Sequence, residues 1–189
     1  MSRPFSDFSG QFFWNFKRMD NVNYNFEVLE SLYQAKKVNP TDKHFNKPII
    51  IIIMAIIECT IYDFLIRINQ HSSDPLPNIT QAVILYLRKT KETDELKYII
   101  PKIKSQNLLQ MPTGDTLYDD LEKLRLTRNR IHIQNRYVLL PKDEVNVFTE
   151  SEVVCAQICM EKVYDTLCNV YPRWRNSPIP MSDFPRPWL

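Results

Sequence analysis

Glycine is nearly absent: only Gly10 and Gly114 occur among 189 residues. Glycine reaches positive φ without steric cost, so few positions can supply the tight turns that β-sandwiches and barrels use heavily. Leu, Ile, Glu, Lys and Gln are plentiful instead, and they favour helices. A surplus of one charge is also missing. The 24 Lys and Arg against 22 Asp and Glu leave a formal net charge of +2, so total charge argues for neither nucleic acid, membrane nor an acidic partner. Any such signal must be local. Cysteine is sparse too: Cys59, Cys155, Cys159 and Cys168 include no CxxC pair and have no histidine beside them. They are expected to be reduced thiols of a cytoplasmic protein, with Cys155 and Cys159, at i, i+4 on one helix face, packed as small core residues rather than forming half of a metal site. No metal and no other cofactor is expected.

A membrane-length apolar run is lacking as well, although PIIIIIMAIIECTIYDFLI from Pro48 comes near one. Its apolar block stops after Ile57 at Glu58, and Asp63 follows, well short of the roughly 20 residues a span requires. A core helix is the expectation, with no membrane partner. No basic segment with a cleavage site precedes it, so no targeting segment is expected.

What the chain does contain is a succession of amphipathic stretches, enough for one all-α domain with a real core. Residues 1–20 read as an irregular, aromatic-rich N-terminal arm, 21–171 as a bundle of four to six helices, and 172–189, with its prolines, as a tail wrapped on the body through Trp174 and Trp188. A first helix is expected from Tyr24 to Lys37, closed by Asn39 and Pro40, and a second from about Pro48 to Asn69. ITQAVILYLRKT and DELKYIIPKIKSQNLL give shorter helical pieces, the latter kinked or divided at Pro101. A further helix runs from about Thr116 to Gln134. The last long one is announced by Thr149-Glu150-Ser151-Glu152, which has the order of a capping box.

Chemistry concentrates in TLYDDLEKLRLTRNRIHIQN. Its core stripe runs Leu117, Leu121, Leu124, and the next members at that spacing are Arg128 and His132. The apolar face therefore becomes cationic halfway along. On a continuous helix Arg128 and His132 would stack at i, i+4, with Arg125 and Asn129 a second such pair beside them. From Lys123 to Lys142 there are six Lys or Arg, including Arg130 and Arg136, and no carboxylate. A guanidinium offers a planar fork for phosphate oxygens, an imidazole can move a proton near neutral pH, and an asparagine amide can orient either. Those parts suffice for phosphodiester cleavage without a metal. Glu58, where the apolar run first turns polar, would hold Arg125, Arg128 or Arg130 in place, or else lie at the surface edge of its helix.

The segment resembles the R-x(4 to 6)-H motif of HEPN domains, whose penultimate long helix carries an arginine, often followed by asparagine, and then a histidine. Arg125 to His132 leaves six residues between, and Arg128-Asn129 supplies the frequent Arg-Asn pair. The likeness covers roughly residues 24–170. It implies an up-and-down helical bundle and a homodimer whose motif helices form a composite, metal-independent endoribonuclease site for single-stranded RNA. Toxin and phage-defence settings are common in that family, with an antitoxin or other regulatory protein as partner. The expected catalytic residues are Arg125, Arg128, Asn129 and His132, supported by Glu58, with Lys123, Arg130 and Arg136 on the RNA path. The tyrosine two places after the histidine, which marks toxins paired with nucleotidyltransferase antitoxins, is replaced by Gln134. The alternative is a non-catalytic HEPN-like module for binding RNA or protein. A sequence-specific DNA binder fits less well, because no second short helix and tight turn precede the basic helix.

Overall fold

The computed structural model describes residues 7–70, 79–89, 95–132, 141, 143–173 and 183–189. Within them the chain is mostly helical: α1 (Phe16–Val38), α2 (Asn46–Gln70), α3 (Gln81–Lys89), α4 (Leu96–Ser105), α5 (Leu117–Arg128) and α6 (Glu150–Val170). Two short strands, β1 (Asp7–Ser9) and β2 (Asp183–Pro185), and three 3-10 turns, Lys43–Phe45, Asn129–Ile131 and Glu144–Asn146, complete the described elements. Architecture is therefore all-α, as composition implies.

Helix α2 is the axis of the packing. Because it is apolar nearly all round, it must be covered on several sides, and α1, α3, α4, α5 and α6 all pack against it. Ile49, Ile50, Ile53, Met54, Ile57, Ile61 and Ile68 are fully or almost fully buried. Pro48 sits in its first turn, where a missing N–H costs nothing. By length and composition this helix could cross a membrane, but 67% of its most apolar window is buried inside the fold. Beneath that cover it carries two charged residues with no exposed surface, Asp63 and Arg67.

Those two side chains organise both chain ends. Asp63 accepts hydrogen bonds from the backbone N–H groups of Trp14 (2.6 Å) and Asn15 (3.2 Å) and pairs with Arg18 (3.0 Å). Arg67 donates to the carbonyls of Phe12, Tyr171 and Pro172. One helix turn thus pins the arm in front of α1 and the chain leaving α6. β1 and β2 then pair antiparallel, Phe8 opposite Phe184, and both rings join Phe12, Phe26 and Tyr164 in a buried aromatic cluster. Trp188 lies against Phe8 and Tyr33, and its indole N–H donates to Glu161. Described parts of the arm and tail therefore belong to the main core; Trp174 lies outside the described residues.

Several helix limits differ from the expected ones. α1 begins at Phe16, well before Tyr24, because the Asn15 side chain accepts from the Arg18 N–H and caps the first turn. α4 continues through Pro101 without dividing. Its buried residues Leu96, Ile99, Ile100 and Ile103 hold it against α2 and α5, which outweighs the one backbone bond that proline removes. α6 starts where the capping sequence places it: the Thr149 hydroxyl accepts from the Glu152 N–H at 3.3 Å.

The turn from α4 into α5 uses left-handed backbone at Asn107 (φ 42°), Gln110 (φ 49°) and Gly114 (φ 91°). Asn107 Oδ1 accepts from the Met111 N–H and from the Tyr118 hydroxyl, fixing that turn to α5. Asp115 accepts from the Leu117 N–H at 2.8 Å and pairs with Lys162 of α6 at 2.6 Å. The Lys162 ammonium and the Leu117 N–H hold the Asp115 carboxyl below its ordinary value of 3.8. A depressed folded-state value means that this stabilisation is complete above pH 3.8 and is lost as pH falls through the lower folded value. Urea denaturation across that acid range is expected to show a shallower loss of stability in Asp115→Asn than in the parent. Identical slopes would remove Asp115 from the acid response.

Candidate functional site

Helix α5 is polarised along its length. Asp119 and Asp120 occupy its first turn, and Arg125 and Arg128 its last, each sign at the end of the helix dipole that favours it. At Arg128 the α-helix stops, several residues before the expected limit near Gln134, which itself lies outside the described residues. The Asn129 N–H reaches both the Arg125 and Thr127 carbonyls, and the chain tightens into a 3-10 turn over Asn129–Ile131. His132 follows in extended conformation (φ −80°, ψ 98°), its N–H on the Asn129 carbonyl at 3.4 Å. An i, i+4 stack of Arg128 on His132 requires continuous α-helix and is therefore not formed. A 3-10 turn advances the chain by about 120° per residue instead of 100°, so His132 leaves the stripe that Leu117, Leu121 and Leu124 define.

Where α5 ends, a cleft of about 290 Å³ opens between it and the start of α4. Glu58 from α2, Glu95, Leu96 and Lys97 from α4 and its entry, and Arg125, Arg128 and Asn129 line it. Glu58 is the hinge of this arrangement. One carboxylate oxygen takes the Leu96 N–H at 3.2 Å, an otherwise unpaired donor of the first turn of α4, and the other pairs with Arg128. Of the three arginines that the sequence offered as its partner, the fold selects Arg128. Burial lowers the Arg128 pKa below its ordinary value, and the guanidinium stays charged at neutral pH. Its Nη1 lies 3.5 Å from Asn129 Oδ1. Arg125 is gripped through Nε (2.8 Å) and Nη2 (2.5 Å) by Glu122, one turn back.

The other expected site residues are placed as follows. Lys123 faces away from the cleft and pairs with Glu152 of α6. Arg130 is buried, with Nη2 on the Pro141 carbonyl at 3.1 Å, so it anchors the chain beyond the turn rather than offering a free surface cation. His132 is exposed and does not line the cleft. Arg136 lies outside the described residues. The carboxylate-free window is thus compensated in space: Lys123, Arg125 and Arg128 each meet a carboxylate from outside it.

The chain matches no protein-family model, no curated protein and no solved structure. Its chemistry rests on the residues themselves. Arg128 commits one edge of its fork to Glu58 and carries further N–H groups, while Arg125 and Lys97 add two more cations to the lining and Glu95 a second carboxylate. Such a cleft can hold an oxyanion, with the Asn129 amide beside it. Lys97 and the Leu96 N–H were not legible in the sequence, because nothing in DELKYIIPKIK marks them; the packing of α4 on α2 and α5 brings the Leu96 N–H to Glu58 and Lys97 to the cleft.

A larger cavity of about 450 Å³ lies elsewhere, at the turn before α2, between Thr41, Asp42, Lys43, His44, Lys47, Glu144, Val145 and Phe148. Of its two lysines, Lys47 is paired with Glu144 at 2.6 Å and sits over the Phe148 ring. His44 has its Nδ1 2.6 Å from Asp42, whose carboxyl is held below its ordinary value by the His44 N–H and ring. That contact belongs to the turn itself: Asp42 caps the short 3-10 segment Lys43–Phe45.

Proposed function

We propose that this chain is a HEPN-like, cytoplasmic, homodimeric endoribonuclease that cleaves single-stranded RNA without a catalytic metal. The observation that carries this is the meeting of Arg125, Arg128 and Asn129 in one cleft, with Glu58 holding Arg128 and His132 one short turn further along the chain. In the reaction a ribose 2′-oxygen forms a bond to the adjacent phosphorus, the bond from phosphorus to the 5′-oxygen breaks, and a 2′,3′-cyclic phosphate remains. His132 moves the proton from the attacking oxygen or to the leaving one. Arg128 stabilises the charge that builds on the phosphorane, and Asn129 orients the phosphate. A toxin or phage-defence role, with a regulatory protein as partner, accords with the HEPN likeness.

A non-catalytic bundle that docks RNA or protein through the same arginines is the second reading. One observation favours it: His132 is exposed, off the helix and outside the cleft. Labelled single-stranded RNA incubated in EDTA with the parent and with His132→Ala separates the two. Fragments ending in 2′,3′-cyclic phosphate, slowed by about 10²–10⁴-fold in the variant, support the nuclease. Intact RNA with salt-sensitive binding, equal in both proteins, supports the docking module.

A further inference from the structure

Away from the cleft, on the face where α5 packs against α6, three side chains of metal-ligand type converge. Asp120 of α5 and Cys155 and Cys159 of α6 bring a carboxylate oxygen and two sulfurs within 4.8 Å of one another. The two cysteines are one helix turn apart, so both thiols leave the same face of α6, towards α5. Cys159 is buried, at 1% exposure, while Cys155 and Asp120 are half-buried, which leaves the cluster shielded on one side and open on the other. All four cysteines are free thiols. In the sequence, Cys155 and Cys159 read as two small core residues; the fold adds a third donor from a distant helix.

We propose that Asp120, Cys155 and Cys159 form a zinc site that ties α5 to α6, its fourth position open to water. Tetrahedral Zn²⁺ with bonds of about 2.0–2.3 Å sets its ligand atoms about 3.5–3.8 Å apart, a contraction of about 1.3 Å at most from atoms that lie within 4.8 Å of one another. Two sulfur ligands select zinc-like ions over Mg²⁺ and Ca²⁺, which take oxygen donors. The surroundings are prepared for a cation. Lys123 and Lys162, the lysines close enough to act on the cluster, are already tied to Glu152 and Asp115. The Thr116 hydroxyl donates to Asp120 Oδ2 at 2.7 Å and steadies that carboxylate, leaving its other oxygen to bind metal. No residue is shared with the cleft, so this site stands or falls independently of the ribonuclease proposal.

The test is titration of the reduced, metal-stripped full chain with Co²⁺. One equivalent is expected to give a thiolate-to-cobalt charge-transfer band and the intense visible absorption of tetrahedral cobalt, both erased by Zn²⁺. Cys155→Ser, at a half-exposed position, should lose much of the charge-transfer band and bind at least about 10–100-fold more weakly. Asp120→Asn should weaken binding while keeping the band. Zn²⁺ should raise the melting temperature of the parent by more than that of Cys155→Ser at the same concentration. A Cys59→Ser, Cys168→Ser variant should match the parent. Absence of the band in the parent, its persistence in Cys155→Ser, or its loss in the Cys59, Cys168 variant overturns the site.

Discussion

Asp63→Ala is expected to lower the unfolding free energy by about 3–5 kcal/mol, a large share of the roughly 5–15 kcal/mol that holds an ordinary domain together. Asp63 has no exposed surface and accepts from three donors at once: the Trp14 and Asn15 N–H groups and Arg18. Alanine removes the acceptor and leaves the donors in place, and such one-sided removal costs far more than deleting both partners. The melting temperature should fall by roughly 6–20 °C. Asp63→Asn supplies one acceptor oxygen but turns an NH₂ towards the remaining donors, so it should recover only part of the loss. Proteolysis gives a second readout. Since Asp63 pins residues 14–18, the bonds ahead of α1 should become the first to be cut in the variant. An Asp63→Ala protein with the parental midpoint in urea would show that the arm is not anchored through this carboxylate.

That anchor was not legible in the sequence, for a physical reason. Asp63 was visible there as the second polar break in an apolar run, but its donors are backbone N–H groups of an arm whose aromatics have no clean period. Period analysis finds helices through side-chain spacing and is blind to a chain held by main-chain hydrogen bonds. Arg67 escaped in the same way, since all three of its acceptors named above are backbone carbonyls. Local signals fared better. The Thr149 cap, the helical nature of the isoleucine-rich run and the closing of α1 at Asn39 depend on neighbours a few residues away, and each appears where expected. Pro101 shows the limit of local rules, because four buried apolar residues of α4 outweigh one lost backbone bond.

The candidate site divides along the same line. That Glu58 needs a cationic partner follows from the cost of an unpaired carboxylate in an apolar setting, and the partner found is Arg128. Continuation of α5 to His132 was an extrapolation of the stripe. The end of α5 coincides with a tertiary anchor: Arg130 is drawn inward to the Pro141 carbonyl as the turn tightens. The convergence of Asp120 with Cys155 and Cys159 was equally hidden, since only the packing of α5 on α6 brings the carboxylate to the thiols.

For the proposed ribonuclease, Arg128→Ala is expected to reduce RNA cleavage by about 10²–10³-fold, the usual cost of removing one preorganised donor to a developing oxyanion. The loss should fall mainly in kcat, because the phosphorane carries more charge for the guanidinium to meet than the bound phosphate does. Arg128→Lys should restore little, since a point charge lacks the second edge that lets the fork serve Glu58 and a phosphate together. Glu58→Gln keeps an oxygen for the Leu96 N–H but loses the ionic grip on Arg128, so its effect should be smaller than that of Arg128→Ala. Combining Glu58→Gln with Arg128→Ala should then cost no more than Arg128→Ala alone, as a double-mutant cycle requires when one residue acts through the other. Each variant is compared at matched folded fraction by circular dichroism, because leaving Glu58 without its charged partner also costs about 1.5–3 kcal/mol of stability. Additive losses would mean that Glu58 supports α4 rather than Arg128. If RNA affinity fell in Arg128→Ala while the parent left RNA intact, the cleft would be a docking surface, and His132→Ala would bind RNA as the parent does.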